Sequence, residues 1–241
     1  MSRVPSSTSR QTLPTSAALL AKLRRVSFPT IGHYLEEGFV DPAIRSLLAN
    51  VRVVGRALTV RIADADAVAM NHALSALTPG DVLVVDMGGD AVHASVGAVT
   101  SCAALSAGAV GIVVDGVVTD IVELREGGLP IFARGTSVLT TKRHDGDNSA
   151  INVPVVVGGV SVSPGDIVLA DDNGVLVLTP DGAADIVDLA LASDAAEPET
   201  LARLRAGEPV ATCSIWATRQ ADREGTTAVN PGWMPMAISG K

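Results

Sequence analysis

Apolar residues recur along this chain with two spacings, and the spacings predict its elements. Leu19, Leu20, Leu23 and Val26 fall at three- and four-residue steps, one face of a helix, and Thr15 or Ser16 can cap its first amides. That helix should end near Val26, ahead of Pro29. A second short helix, capped by Thr30, should run through Tyr34 and Leu35 and stop at Gly38. From Val51 to Ile62, β-branched residues alternate with arginines around Gly55, which predicts a strand bulged or bent at the glycine. Ala65 to Leu77 reads as a helix stopped by Pro79-Gly80. VLVVDM follows as a short buried strand ending at Asp86 and a Gly88-Gly89 turn. Small residues make a helix from Val96 to Ala107 that Gly108 ends. A buried strand from Gly111 to Asp115 leads through the turn Gly116 to Thr119 into a helix reaching Gly127-Gly128.

Beyond the short strand IFARG and a polar loop at 140–149 the rhythm changes. Val153 to Leu178 holds three or four strands with no helix between them, so alternating βα units give way to a β-rich region. Pro79-Gly80-Asp81 and Pro164-Gly165-Asp166 each launch an apolar strand ending in Asp, which predicts two strands entering related positions of one sheet system. Asp181 to Arg205 reads as two helices, or one broken at Pro198. The ends differ in character. Residues 1–14, rich in Ser, Thr and Pro, predict a flexible leader, 15–210 a single α/β domain, and 211–241 a weakly periodic tail. Trp216 and Trp233 in that tail predict docking on a neighbouring subunit.

Composition narrows the partners. With a net charge of −8 and scattered basic residues, the 241-residue chain carries no electrostatic footprint for nucleic acid or anionic lipid. Aromatics are 2% of the residues, so the core must be small branched side chains packed at close spacing. No apolar run approaches the roughly 18 residues of a membrane span, and the apolar stretch near the start is too short for a signal peptide. Cys102 and Cys213 have no ligand spacing. They are expected to be free thiols in a reducing, cytoplasmic setting.

The candidate chemistry lies between residues 79 and 120. Asp86 and Asp115 end buried strands and are followed by glycines, which lets a ligand approach, although an Asp in that position more often caps a turn. The same structural reading covers Asp90. The helix opening at Gly97 leaves amides at Gly97 to Thr100 without intrahelical partners, a place for a carboxylate. Asp120 follows a glycine-containing turn and can reach the same cleft. A lone carboxylate can hold Mg2+ or Mn2+ when water and substrate oxygens complete the shell. His33, His72 and His144 are too far apart for a metal motif. The glycine pairs match no phosphate or dinucleotide loop, so NAD and ATP are not expected.

The phrases PGDVLVVD, GGDAVHASVG, AGAVGIVVDGVVTD, PIFARG and NVPVVVGGVSVSPGDIVLADDNGVLVL, over about residues 30–180, resemble in order and spacing one family's signature blocks. It contains the regulator of ribonuclease E activity A and the metal-dependent 4-hydroxy-4-methyl-2-oxoglutarate aldolases. The resemblance implies an α/β/β/α sandwich around a swivelling β/β/α core, in trimers or hexamers with the cleft at a subunit boundary. It also implies a divalent metal, Mg2+ or Mn2+. Substrate binding is carried onto Gly97, Ala98, Val99, Thr100 and Thr119, and the metal onto Asp120. Two positions depart from the aldolase pattern. Thr119 stands where an arginine precedes the metal Asp, and Ala98 where an acidic residue is common.

Losing that guanidinium should cost on the order of 10²-fold in rate unless His93, Arg134 or Lys142 replaces it, although a solvent-facing loop is the simpler place for His93. The implied function is a metal-dependent carbon–carbon lyase on a small 2-oxo or hydroxy diacid, by aldol cleavage or decarboxylation. The alternatives are a non-catalytic partner-binding regulator and an isomerase or hydratase reusing the same site.

Overall fold

A computed structural model of the chain describes residues 16–142 and 148–213. The leader, His144 and the tryptophan-bearing tail lie outside them. The sheet is built on β1 (Arg45–Ser46), β2 (Arg52–Arg61), β3 (Asp81–Val96), β4 (Gly111–Val118), β5 (Ile131–Ala133), β6 (Gly135–Thr136) and β7 (Ala150–Ile151). A hairpin of β8 (Val155–Val157) and β9 (Val160–Val162) follows, then β10 (Ile167–Asp171) and β11 (Gly174–Leu178). Strand order is β1-β5-β4-β3-β2-β10-β11, with β6 beside β4 and β7 beside β2. The run from β5 to β2 is parallel, and β1, β10 and β11 join antiparallel. Just ahead of β1, Phe39 bridges to Leu176 of β11, so the sheet curls into a nearly closed barrel.

Alternation along each strand sorts the side chains into an inside and an outside. Val53 and Ala57 of β2, Val82 and Val84 of β3, Val113, Phe132, Val168 and Val175 share one cluster with Val155, Val157 and Val162 of the hairpin. The interior admits few large groups, which accounts for the aromatic-poor composition. Outward residues bury too. Leu58, Val60, Leu83, Val85, Ile112 and Val114 pack with α3 (Val68–Ala76), α4 (Ala98–Ser106) and α5 (Ile121–Gly127). Val54, Ile167, Leu169, Leu176 and Leu178 pack with α1 (Ala17–Leu23), α2 (Phe28–Ile31) and the start of α6 (Pro180–Arg205). Burial on both faces explains the nearly continuous apolar strands.

Several expectations need correction. Gly55 sits in unbroken register with Arg52–Arg61's neighbours, so it marks close approach and not a bulge: a Cβ there would lie 2.5 Å from the Gly80 carbonyl oxygen. The irregularity falls on β3, which continues past Asp86 to Val96 with register shifts instead of stopping at Gly88-Gly89. Ser16 caps α1 as expected, but α2 starts after Ser27 with Pro29 in its first turn, where a missing amide costs nothing, and Thr30 lies inside it. α6 runs unbroken through Pro198; that part of the helix is largely exposed, so water can meet the freed carbonyl. The chain divides into two units, Met1–Ala192 and Ser193–Lys241, and the second contains α7 (Val210–Cys213). Cys102 is exposed and Cys213 buried, and both are free.

The paired Pro-Gly-Asp turns do lead into related positions. β3 and β10 flank β2, and Arg56 of β2 is in register with both Asp81 and Ile167.

Candidate active site

β3 ends at Val96 and α4 begins at Ala98, with Gly97 as its extended N-cap at φ −140°. The parallel neighbour β4 ends at Val118. The Thr119 amide donates to the Val96 carbonyl at 2.9 Å, which holds the two strand ends side by side. Asp120 then adopts a left-handed conformation, φ 55°, and becomes the N-cap of α5. A non-glycine residue held there costs of order 1–3 kcal/mol and persists because its surroundings fix it. Here Asp120 Oδ2 accepts from the Ala98 amide at 2.9 Å, and the Thr119 hydroxyl lies 3.3 Å from Oδ1.

The six residues singled out in the sequence, Gly97 to Thr100 with Thr119 and Asp120, are thus brought into one place. Their division of labour differs from the expectation that all the helix amides serve a ligand: the Ala98 amide is taken by Asp120 itself. Val99 and Thr100, at the second and third helical positions, keep amides with no intrahelical partner and none among the described residues. Gly97 is required sterically, since a Cβ would lie 2.5 Å from Asp120 Oδ2 and 2.8 Å from Thr119 Cγ2.

Asp120 is exposed, and each of its oxygens keeps acceptor capacity after one hydrogen bond. Among the described residues no group of three His, Cys, Asp or Glu could hold a metal ion. The donor set therefore fits a hydrated hard cation held by one carboxylate, with water and substrate oxygens completing the shell, and it does not fit a closed zinc-type site.

The other carboxylates are structural. Asp86 accepts from the Gly88 amide at 2.9 Å and the Val156 amide at 3.2 Å. Asp115 accepts from the Gly158 amide at 2.7 Å and from Arg134 Nε at 2.5 Å. Both tie the β8–β9 hairpin to the middle of β3 and β4. Arg134 also donates to Asp41 at 2.8 Å. The bond to Asp115 and then that to Asp41 push Arg134 above its ordinary range, while the Ala43 amide and then Arg134 hold Asp41 below its own. Arg134 is committed there and does not stand in for the missing arginine. Asp41 escaped the sequence reading, because no local spacing announces a partner 93 residues away.

His93 is half-buried, not simply solvent-facing: its Nδ1 lies 2.8 Å from Asp90 Oδ2. Burial works to raise the Asp90 carboxyl, but the His93 and Val92 amides and the His93 ring outweigh it and leave the group lowered. With Asp64 and Lys142 they line a cavity of about 460 Å3 whose lining does not include Asp120.

A curled, mixed α/β sheet with a carboxylate seated on a helix amino end beside two parallel strand ends defines the protein class. The chain belongs to the RraA-like family, described as Aldolase/RraA, whose model matches residues 30–177. A 4-hydroxy-4-methyl-2-oxoglutarate aldolase of Thermus thermophilus is 34% identical over 143 residues, 59% of this chain and 85% of that protein. A Halalkalibacterium halodurans protein, whose name gives the same activity provisionally, is 40% identical over 135 residues, 56% of this chain. The chain spans 63% of the length of that relative. The crystal structure of Streptomyces coelicolor RraAS2, described as an unusual member of the RNase ES inhibitor RraA protein family, superposes with a TM-score of 0.67 at 31% identity. That match covers 79% of this chain and 98% of the other. The α/β, RraA-like fold is as expected.

Proposed function

We propose that the chain is a divalent-metal-dependent carbon–carbon lyase, an aldolase or 2-oxo acid decarboxylase, acting on a small 2-oxo or hydroxy diacid. The observation that carries this reading is Asp120, oriented by the Ala98 amide at 2.9 Å at the opening of α4. Asp120 would hold Mg2+ or Mn2+, and such an ion supplies a Lewis acid that polarises the 2-oxo group. The Val99 and Thr100 amides bind the substrate carboxylate, favoured by the helix amino end. Thr119 contributes a hydroxyl where a guanidinium would otherwise neutralise developing charge, so the basal rate is low.

The test is a coupled pyruvate assay of oxaloacetate decarboxylation with Mg2+. Wild type should be feeble, and Thr119→Arg should raise the rate about 10-fold or more by restoring a bidentate hold. Ala98→Asp alone should do less, since an acid near the reacting carbon helps only once the substrate is held. If no variant, checked for folding and metal content, exceeds the metal-only background, the lyase reading fails. Thr119 specifically favours the second reading, a non-catalytic partner-binding protein, and that outcome would select it.

A further inference from the structure

The two Pro-Gly-Asp turns are built alike, and the difference between them exposes a site. Asp81, 7% exposed, accepts through Oδ2 from the Thr78 amide at 2.9 Å and the Thr78 hydroxyl at 2.6 Å. Its Oδ1 receives the Arg56 guanidinium at 3.2 Å. Asp166, 9% exposed, repeats half of this, with Oδ2 accepting from the Ser163 amide at 2.7 Å. Among the described residues no donor meets Asp166 Oδ1. Where the twin turn has a cation, this one has a cavity.

That cavity holds about 830 Å3. Asp166 lies in its wall with Glu36 and Glu37, which are exposed, and among the described residues no Lys, Arg or His lines it. Leu35, Phe39 and Val177 supply apolar wall. The start of α6 also contributes, but the Gly182 amide is already satisfied by the Thr179 hydroxyl at 3.1 Å and does not compete for Asp166. Asp166 is mostly buried and has, among the described residues, no counter-charge on its Oδ1, which faces the cavity; burial pushes its carboxyl up, offset in part by the Ser163 amide.

We infer that this cavity binds a small organic monocation, a guanidinium or primary ammonium on a short aliphatic stem, with the cation on Asp166 Oδ1. The stem lies along Leu35, Phe39 and Val177, and Glu36 and Glu37 attract the charge from solution. Because none of Gly97 to Thr100, Thr119 or Asp120 lines this cavity, the site stands or falls apart from the lyase reading.

Titration calorimetry on the full chain with n-butylguanidine and n-butylamine tests it, with n-butanol and butyrate as controls. Saturable one-to-one binding of the two cations is expected, with neither control binding. Asp166→Asn keeps an acceptor for the Ser163 amide and should weaken binding about 10-fold or more, while the double variant Glu36→Gln with Glu37→Gln should weaken it only a few-fold, and most at low salt. Should Asp166→Asn not fold, Ser161→Trp, which fills the cavity from an exposed position, should abolish the heat instead. No saturable binding to wild type, equal affinity for butanol, or unchanged affinity in Asp166→Asn or Ser161→Trp would overturn the proposal.

Discussion

At Gly97 the backbone conformation, φ −140°, is open to any residue, so only the neighbours restrict what stands there. They leave no room: a Cβ would come within 2.5 Å of Asp120 Oδ2. Gly97→Ala should therefore push the carboxylate off the Ala98 amide while costing only about 1 kcal/mol of stability, because Asp120 is exposed. Amide exchange at Ala98 should quicken, and Mg2+ affinity by calorimetry should fall about 10-fold, more than a tight helix start alone would explain. Unaltered Mg2+ binding alongside faster Ala98 exchange would remove Asp120 from the metal role. Its position by itself would then be structural, as the positions of Asp86 and Asp115 are.

The β8–β9 hairpin shows how an element is fixed from outside itself. Two glycines, Gly158 and Gly159, form its turn with φ 52° and 81°, the left-handed pair that matches strand twist. The two are not equivalent. A Cβ at Gly158 would lie 2.5 Å from Val40 Cγ1 and 2.8 Å from the Asp41 nitrogen, whereas at Gly159 nothing lies within 4 Å. Gly158→Ala should cost about 2–4 kcal/mol in urea denaturation, by strain and overpacking together, and Gly159→Ala about 1 kcal/mol by strain alone. Equal costs would mean that the hairpin yields freely and that its ties to Asp86 and Asp115 hold it only loosely.

For the whole molecule, the surface around Asp120 is less polar than a solvent-facing cleft should be. Val99, one residue past the Ala98 amide, is 84% exposed, and Val122, two past Asp120, is 59% exposed. A second copy of the chain covering these residues would complete the cleft, and the family resemblance points to threefold symmetry. Light scattering at micromolar concentration should return three or six times the 24.5 kDa chain mass. Val99→Glu should lower that mass, since an uncompensated charge in a buried interface costs several kcal/mol. A monomeric wild type would remove the shared cleft. Among the described residues no helix is long and apolar enough to cross a membrane.

What the sequence determined by itself was local. Ser16 could be read as a cap because its oxygen serves an amide three residues on, and β2, β4, β10 and β11 because apolar runs bounded by turns bury on both faces. Gly97 and Asp120 were legible as candidates from the helix start and the glycine-containing turn, and the order and spacing of the motif blocks then gave them roles. Tertiary structure decided the rest. Only strand pairing set Val96 beside Thr119 and so turned Asp120 onto the Ala98 amide, and only the curl of the sheet brought Asp41 and Gly158 to Arg134 and Asp115. The unpaired oxygen of Asp166 was equally hidden, because its Pro-Gly-Asp repeats that of Asp81 and only the packing around each turn decides whether an arginine reaches the carboxylate. Short-range order follows from the few dihedral choices each residue has, whereas a charge's partner is settled by which distant surfaces the buried apolar faces force together.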